Sequence, residues 1–391
     1  MGVLTPAPSK HRALVLTLAV FALQPMVLGG WLALIPMVKA ALGLSKSDLA
    51  LALLGMPVAT IIALQIASRL IPRLGPRRIM LVMFPVQGAM FLLPLLADSR
   101  GALFLALMAA GAALAFMQVC LNVYAGRLEK ETGANIMNRC HGLWALGLMA
   151  GSLILPLLLP LGAVPGLAVL ALLAAGAGMA VARALPQIGA APGSATPPRR
   201  ALAALPRALL VISAMTLTVT MTEGAMADWA AVYMSERLPE GSTYVGIGVS
   251  IYAGCVALGR LMGDGIKARI GAVRMARGAL LTAIAGLLLL AMPMPNGAAL
   301  LGFAAVGLGV SVGFPLAVSA VAALDDAHEG PNIAIMSSIA ICGFLIGPPV
   351  IGFLADALSL RWGLAALIPG LVLSLALCPY LAPLANARAR A

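Results

Sequence analysis

Twelve stretches of this chain are each long and apolar enough to cross a lipid bilayer as a helix. They fall near 12–38, 47–68, 79–97, 102–126, 139–160 and 163–184, then 207–235, 243–264, 275–294, 298–324, 332–356 and 361–383. A helix needs about 20 apolar residues to span the hydrocarbon core, whereas barrel strands alternate apolar and polar residues over about ten. Backbone polar groups inside hydrocarbon must pair with one another, and uninterrupted runs of this length leave the helix as the way to do so. Composition points the same way. Only 10% of the residues are charged and 62% are hydrophobic, against roughly 25% charged in soluble domains. Too few polar side chains remain to cover a water-facing surface. The expectation is an all-α membrane protein. Its first apolar run outlasts the roughly 7–15 residues of a signal-peptide core, so it reads as a retained helix.

The basic residues give the runs a direction. With both termini cytoplasmic, 20 of the 25 Lys and Arg residues fall on the inner side, including Arg73, Arg77, Arg78, Arg199, Arg200, Arg260, Arg269, Arg388 and Arg390. Lys39, Lys46, Arg100, Arg237 and Arg361 remain outside. This is the positive-inside asymmetry, and it requires an even number of spans. The formal charge of +12 is thereby read as a topology signal and an attraction to anionic membrane lipid, not as a nucleic-acid surface.

The chain also repeats itself. Arg73-x-Gly75 returns as Arg269-x-Gly271, and Gly147-xxx-Gly151 returns as Gly343-xxx-Gly347, both offset by 196. Trp31 and Trp229 are offset by 198. The matched helices run in the same direction, which predicts two parallel, pseudo-symmetric six-helix halves with a solute site between them near mid-membrane. The halves are placed at 1–184 and 207–391. The Pro-, Ala- and Arg-rich segment 185–206 is a cytoplasmic linker.

Few residues offer chemistry. The five cysteines form no CxxC or Cys/His cluster, so neither a metal site nor redox chemistry is expected. No phosphate-binding loop, dinucleotide fingerprint or HExxH appears, and no nucleophile and acid lie at usable spacing, so neither a cofactor nor catalysis is expected. Most acidic residues lie at helix ends. Glu223 and Asp228 do not: Glu223 sits about 24 Å into the seventh run. An ionised carboxylate at that depth is costly unless it faces a cavity or a partner, which marks it as functional by default. Both are candidate proton-coupling groups, set about 140° apart on the helix. Gln118 and Asn122 share a face of the fourth helix and, with Gln24, Trp31 and Trp229, are candidate solute-binding residues. His141 and Trp144 are candidate gate residues. Arg73 and Gly75, and the helix-breaking Gly347 and Pro348, are candidate gating elements. Interhelical bonding and plain packing remain alternatives for each.

Several segments resemble a known family: CLNVYAGRLEKETG, NRCHGLWALGLMAG, TEGAMADW, GLGVSVGFPLAVS and GFLIGPPVIGFLAD. They are similar to bacterial inner-membrane permeases of the major facilitator superfamily grouped with the fucose permeases. The resemblance implies the twelve-helix fold, alternating access in the inner membrane and a proton-linked small polar solute, with a sugar or metabolite as examples; a monomer is expected. Drug or metabolite efflux by a proton antiporter of the same fold is the alternative. The family's helix-seven acidic motif falls on Glu223 and Asp228, and its helix-four Asn on Asn122. Three departures stand out. Ser68 and Pro72 replace the usual Gly and Asp of the loop after helix two. Leu34 stands where relatives carry a basic residue after Trp31. Gly151 is followed by Ser152 rather than by Pro.

Overall fold

The computed structural model describes residues 10–188, 205–325 and 328–382. Among them twelve helices are long and apolar enough to cross a membrane, and no strand occurs. Helix six (Ala163–Ala184) and helix seven (Arg207–Ser235) have the bounds their apolar runs predict. Helix four (Arg100–Thr132) and helix eight (Thr243–Ile270) run six residues past their apolar runs, into polar sequence. Most of the expected linker, residues 189–204 with Arg199 and Arg200, lies outside the described residues, as do Arg388 and Arg390.

Several helices are interrupted, and the breaks in helices one and ten, each within three residues of a proline, bear on the site. Helix one consists of Lys10–Leu23 and Met26–Ala41, interrupted at Gln24 and Pro25. Helix ten consists of Asn296–Val310 and Gly313–Ala322, interrupted at Ser311 and Val312. Proline has no N–H to give the carbonyl four residues earlier. Pro315 therefore leaves the Ser311 carbonyl without its helical donor.

The sequence repeat is a packing repeat. A Cβ on Gly147 would meet the Ala22 carbonyl oxygen at 1.8 Å, and one on Gly151 would meet that of Met26 at 1.8 Å. In the second half, a Cβ on Gly343 would meet the Leu217 oxygen at 2.7 Å, and one on Gly347 that of Met221 at 3.1 Å. Helix five (Met137–Leu161) thus lies on helix one as helix eleven (Glu329–Ala357) lies on helix seven. Such near-contact of backbones is what small residues allow in apolar surroundings. Gly75 (φ 80°) and Gly271 (φ 81°) end the equivalent helices two and eight in a conformation that favours glycine. Gly151→Leu is expected to separate helices one and five and to abolish recovery of monodisperse protein in detergent, because the Met26 backbone cannot give way. Fluorescence-detected gel filtration reads this directly.

The halves meet unequally at the two ends. One apolar cluster crosses both halves and includes Trp31, Ile35, Leu49 and Leu53 with Trp229, Val232 and Leu364. A second cluster, with Val20, Phe21, Ile71, Met80 and Tyr124, belongs to the first half alone. Helix two (Lys46–Ile71) packs on helix eleven through its first turns. There, a Cβ on Gly352 would meet that of Ala50 at 2.4 Å. Polar contacts fasten the same end. Lys46 Nζ lies 2.7 Å from Glu236 Oε1. The Asp356 carboxylate accepts from the N–H groups of Lys46 and Ser47 at 3.0 and 2.7 Å, and from the Ser47 hydroxyl. A carboxylate at a helix N-terminus satisfies donors that have no partner within the helix.

Candidate functional site

Near the middle of helix seven, Glu223 Oε1 lies 3.2 Å from Arg260 Nη2 on helix eight, with side-chain exposures of only 14% and 13%. Arg260 is ten residues from the end of its helix at Ile270, whereas every other described helical Lys or Arg lies within five residues of a helix end. Its Nε also points to the Ser311 carbonyl oxygen at 3.4 Å, the group released by the break in helix ten. One guanidinium therefore ties together helices seven, eight and ten. Two charges withdrawn from water are tolerable because each answers the other, and removing one leaves an uncompensated charge.

Placing Arg260 here corrects the topology reading, which counted it among the cytoplasmic basic residues. Helix eight extends to Ile270, which buries Arg260 in the span. Without it, 19 of the remaining 24 basic residues still fall on the side read as cytoplasmic, so the asymmetry that supports an even number of spans survives.

Around the pair, helix five contributes His141 and helix eight Tyr252. Arg260 acts electrostatically on both, and Glu223 on Tyr252. The His141 ring meets Phe21 of helix one edge-on, with centroids 5.8 Å apart. Helices five and eight touch directly, since a Cβ on Gly142 would meet Leu261 Cδ2 at 2.8 Å. The Ser152 and Ser250 hydroxyls join the same two helices at 2.7 Å.

One helical turn beyond His141, Trp144 Nε1 donates to Gln24 Oε1 at 2.7 Å. Gln24 Nε2 donates to Gln87 Oε1 at 2.9 Å, and Gln87 Nε2 returns to the Gln24 carbonyl at 2.9 Å. This network fastens the break in helix one to helix three (Pro76–Leu96) and helix five. Gln24 and Trp144, separate candidates in sequence, are direct partners. Gln87 completes the group and has no local sequence signal.

The other expected residues fall in different settings. Trp31 and Trp229 are fully buried, and their indole N–H groups have no partner; neither is open to a solute in this conformation. Gln118 Oε1 and Asn122 Oδ1 are likewise buried and unpaired. Asp228 is half-buried and has no hydrogen-bond or ion-pair partner among the described residues. Gly347 and Pro348 are buried inside an unbroken helix eleven, with Gly347 against helix seven. Arg73 is exposed and Gly75 caps helix two. Sequence reading missed Arg260 as a site residue, Gln87, and Asn332 on helix eleven, which is 1% exposed with both amide atoms unpaired. A lone Arg four residues inside the predicted limit of helix eight was the available signal for the first.

No family model matches the chain. It is 28% identical over 351 residues to an uncharacterised MFS-type transporter of Yersinia pestis, covering 89% of this chain and 91% of the relative. It is 27% identical over 371 residues to the membrane protein MosC of Rhizobium meliloti, covering 94% and 90%. Among solved structures, the nucleoside transporter NupG superposes with a TM-score of 0.70 at 15% identity, covering 94% of this chain and 98% of that one. The Escherichia coli fucose:proton symporter FucP does so with a TM-score of 0.62 at 15% identity, covering 96% and 100%. The likeness to major facilitator transporters read from the sequence is borne out, and the fold is the major facilitator fold.

Proposed function

We propose that this chain, a membrane transporter with the major facilitator fold, carries a small polar solute by alternating access and couples that movement to protons through Glu223. The observation that supports this is the Glu223–Arg260 pair, a compensated charge pair held near mid-span where three helices converge. Protonating Glu223 cancels its charge and releases Arg260. A bundle poised on that contact then has two arrangements whose balance both proton and solute can shift. A charged pair with His141 and Tyr252 beside it favours a polar cargo over the apolar drugs of an efflux pump. With the termini in the cytoplasm of a bacterial inner membrane, the fastened end faces outward. The structure then corresponds to an outwardly closed state, and the protein works as a monomer.

In this reading the contacts of Asp356 hold the outer end shut. Asp356→Ala removes three hydrogen bonds at the start of helix two, worth about 1 kcal/mol each. Ala50, buried against Gly352, reports the result once replaced by Cys. Its alkylation by a membrane-impermeant maleimide is expected to rise by roughly tenfold or more over the same Cys variant with Asp356 intact. An unchanged rate removes Asp356 from the gate.

The transport reading itself is tested by a thermal-shift screen of purified protein against sugars, polyols, amino acids and organic acids at mildly acidic and mildly alkaline pH. Ligands that bind the folded state stabilise it by mass action. A stabilising solute whose effect depends on pH and loses that dependence in Glu223→Gln supports the reading. A pH-independent shift retained in Glu223→Gln contradicts it.

A further inference from the structure

We infer that the transported solute is a small organic anion, bound through Arg260 and carried with one proton; this assignment of substrate class rests on the transport reading above. A guanidinium has five N–H donors in a planar fork. Arg260 turns Nη2 to Glu223 and Nε to the Ser311 carbonyl. Its Nη1 has no hydrogen-bond partner among the described residues and is not fully shielded, which leaves it free to meet an incoming group. The Tyr252 hydroxyl likewise has no hydrogen-bond partner among the described residues, and it lies within the field of both Arg260 and Glu223. A carboxylate meets that fork with two parallel bonds, and the phenol supplies a further donor.

Charge balance narrows the class. While Glu223 is ionised, the pair is neutral and needs no third party. Once Glu223 takes a proton, Arg260 stands uncompensated in a site shielded from water, a condition that strongly disfavours the protonated state. A neutral sugar leaves that charge unanswered, and an amine adds to it. A monoanion answers it, so proton and anion enter together with no net charge moved. The proton goes to a Glu223 carboxylate oxygen, and the solute carboxylate takes that oxygen's place at Nη2 while also reaching Nη1. The charged and titratable groups that act on the pair are His141 from helix five and Tyr252 from helix eight. Neither supplies a second fixed cation. Three residues after Trp31, the buried Leu34 supplies no charge, so Arg260 is the anion's fixed counter-charge.

The experiment pairs monovalent acids with neutral analogues of nearly the same shape: glucuronate with glucose, lactate with lactamide, succinamate with succinamide. Thermal shift on the full-length protein is expected to show stabilisation by one or more acids and none by the matching neutral compounds. Affinity for that acid should fall by roughly a hundredfold in Arg260→Gln, by less in Arg260→Lys, and should rise as pH falls. Arg260→Gln alone leaves Glu223 unpaired and endangers folding, so Glu223→Gln/Arg260→Gln is measured beside it and is expected to be folded and blind to the acid. Uptake of the acid into proteoliposomes should follow an imposed pH gradient and ignore an imposed membrane potential. A shift by a neutral sugar or an amine, unaffected in Arg260→Gln, overturns the anion assignment, as does a panel in which no acid acts. If that neutral shift still depends on pH through Glu223, proton-coupled transport stands and the anion assignment alone fails.

Discussion

Glu223→Gln is expected to abolish accumulation of solute driven by a proton gradient, lowering it by at least about tenfold, the effect of roughly 1.4 kcal/mol lost from the coupled step. The side chain keeps its size and its ability to accept a hydrogen bond from Arg260 Nη2, now 3.2 Å away. It loses the ability to alternate between charged and neutral. Solute exchange across a membrane with solute on both sides needs no net proton movement, and the variant should retain it. That separation distinguishes a coupling residue from one that merely holds helices seven and eight together. Parallel loss of exchange and accumulation would assign Glu223 to structure instead.

Arg260→Leu is expected to destabilise the protein by about 3–5 kcal/mol, the usual cost of stranding one member of a buried pair. It also removes the donor to the Ser311 carbonyl, which Pro315 has already deprived of its helical partner. Glu223→Leu/Arg260→Leu should recover most of that stability, because two apolar side chains of fair size fill the space with no charge left behind. Yet the double variant should not transport. A double-mutant cycle on melting temperature, with each single variant and the pair, measures the coupling. Additive losses would mean that the two residues do not act as a pair.

Much of the architecture is legible in the sequence because bilayer physics writes it there in simple lengths. Helices six and seven could be bounded because Gly162, Leu185-Pro186 and Pro206 stop apolar runs abruptly. Helix eight could not: GRLMGDGIKARI tapers from apolar to charged, so the helix passes Asp264 and carries Arg260 about 15 Å inside its end. A rule that sorts basic residues by side of the membrane then assigned to a surface the residue that pairs with Glu223. Glu223 itself was legible, since a carboxylate deep in an apolar run has no cheap explanation. Its partner was not, because Glu223 and Arg260 lie 37 residues apart on different helices, and helical periodicity says nothing of contacts across such a gap. The same holds for Gln24, Gln87 and Trp144. Pro25 alone does not mark a break, since Pro36 and Pro85 lie inside continuous helices, and the amide chain that fastens it spans three helices. Gly147 and Gly343 show the opposite case, where an offset of 196 in sequence became equivalent contacts in space.

In this transporter Glu223 is assigned the conversion of a proton gradient into solute movement. Uptake of a stabilising solute by proteoliposomes under an imposed pH gradient, with wild-type protein and Glu223→Gln compared in the same lipid, tests that role. Wild-type protein should concentrate the solute, and collapsing the gradient with a protonophore should release it. Glu223→Gln should only equilibrate it. Accumulation by Glu223→Gln to the wild-type level, still sensitive to the protonophore, would remove Glu223 from coupling.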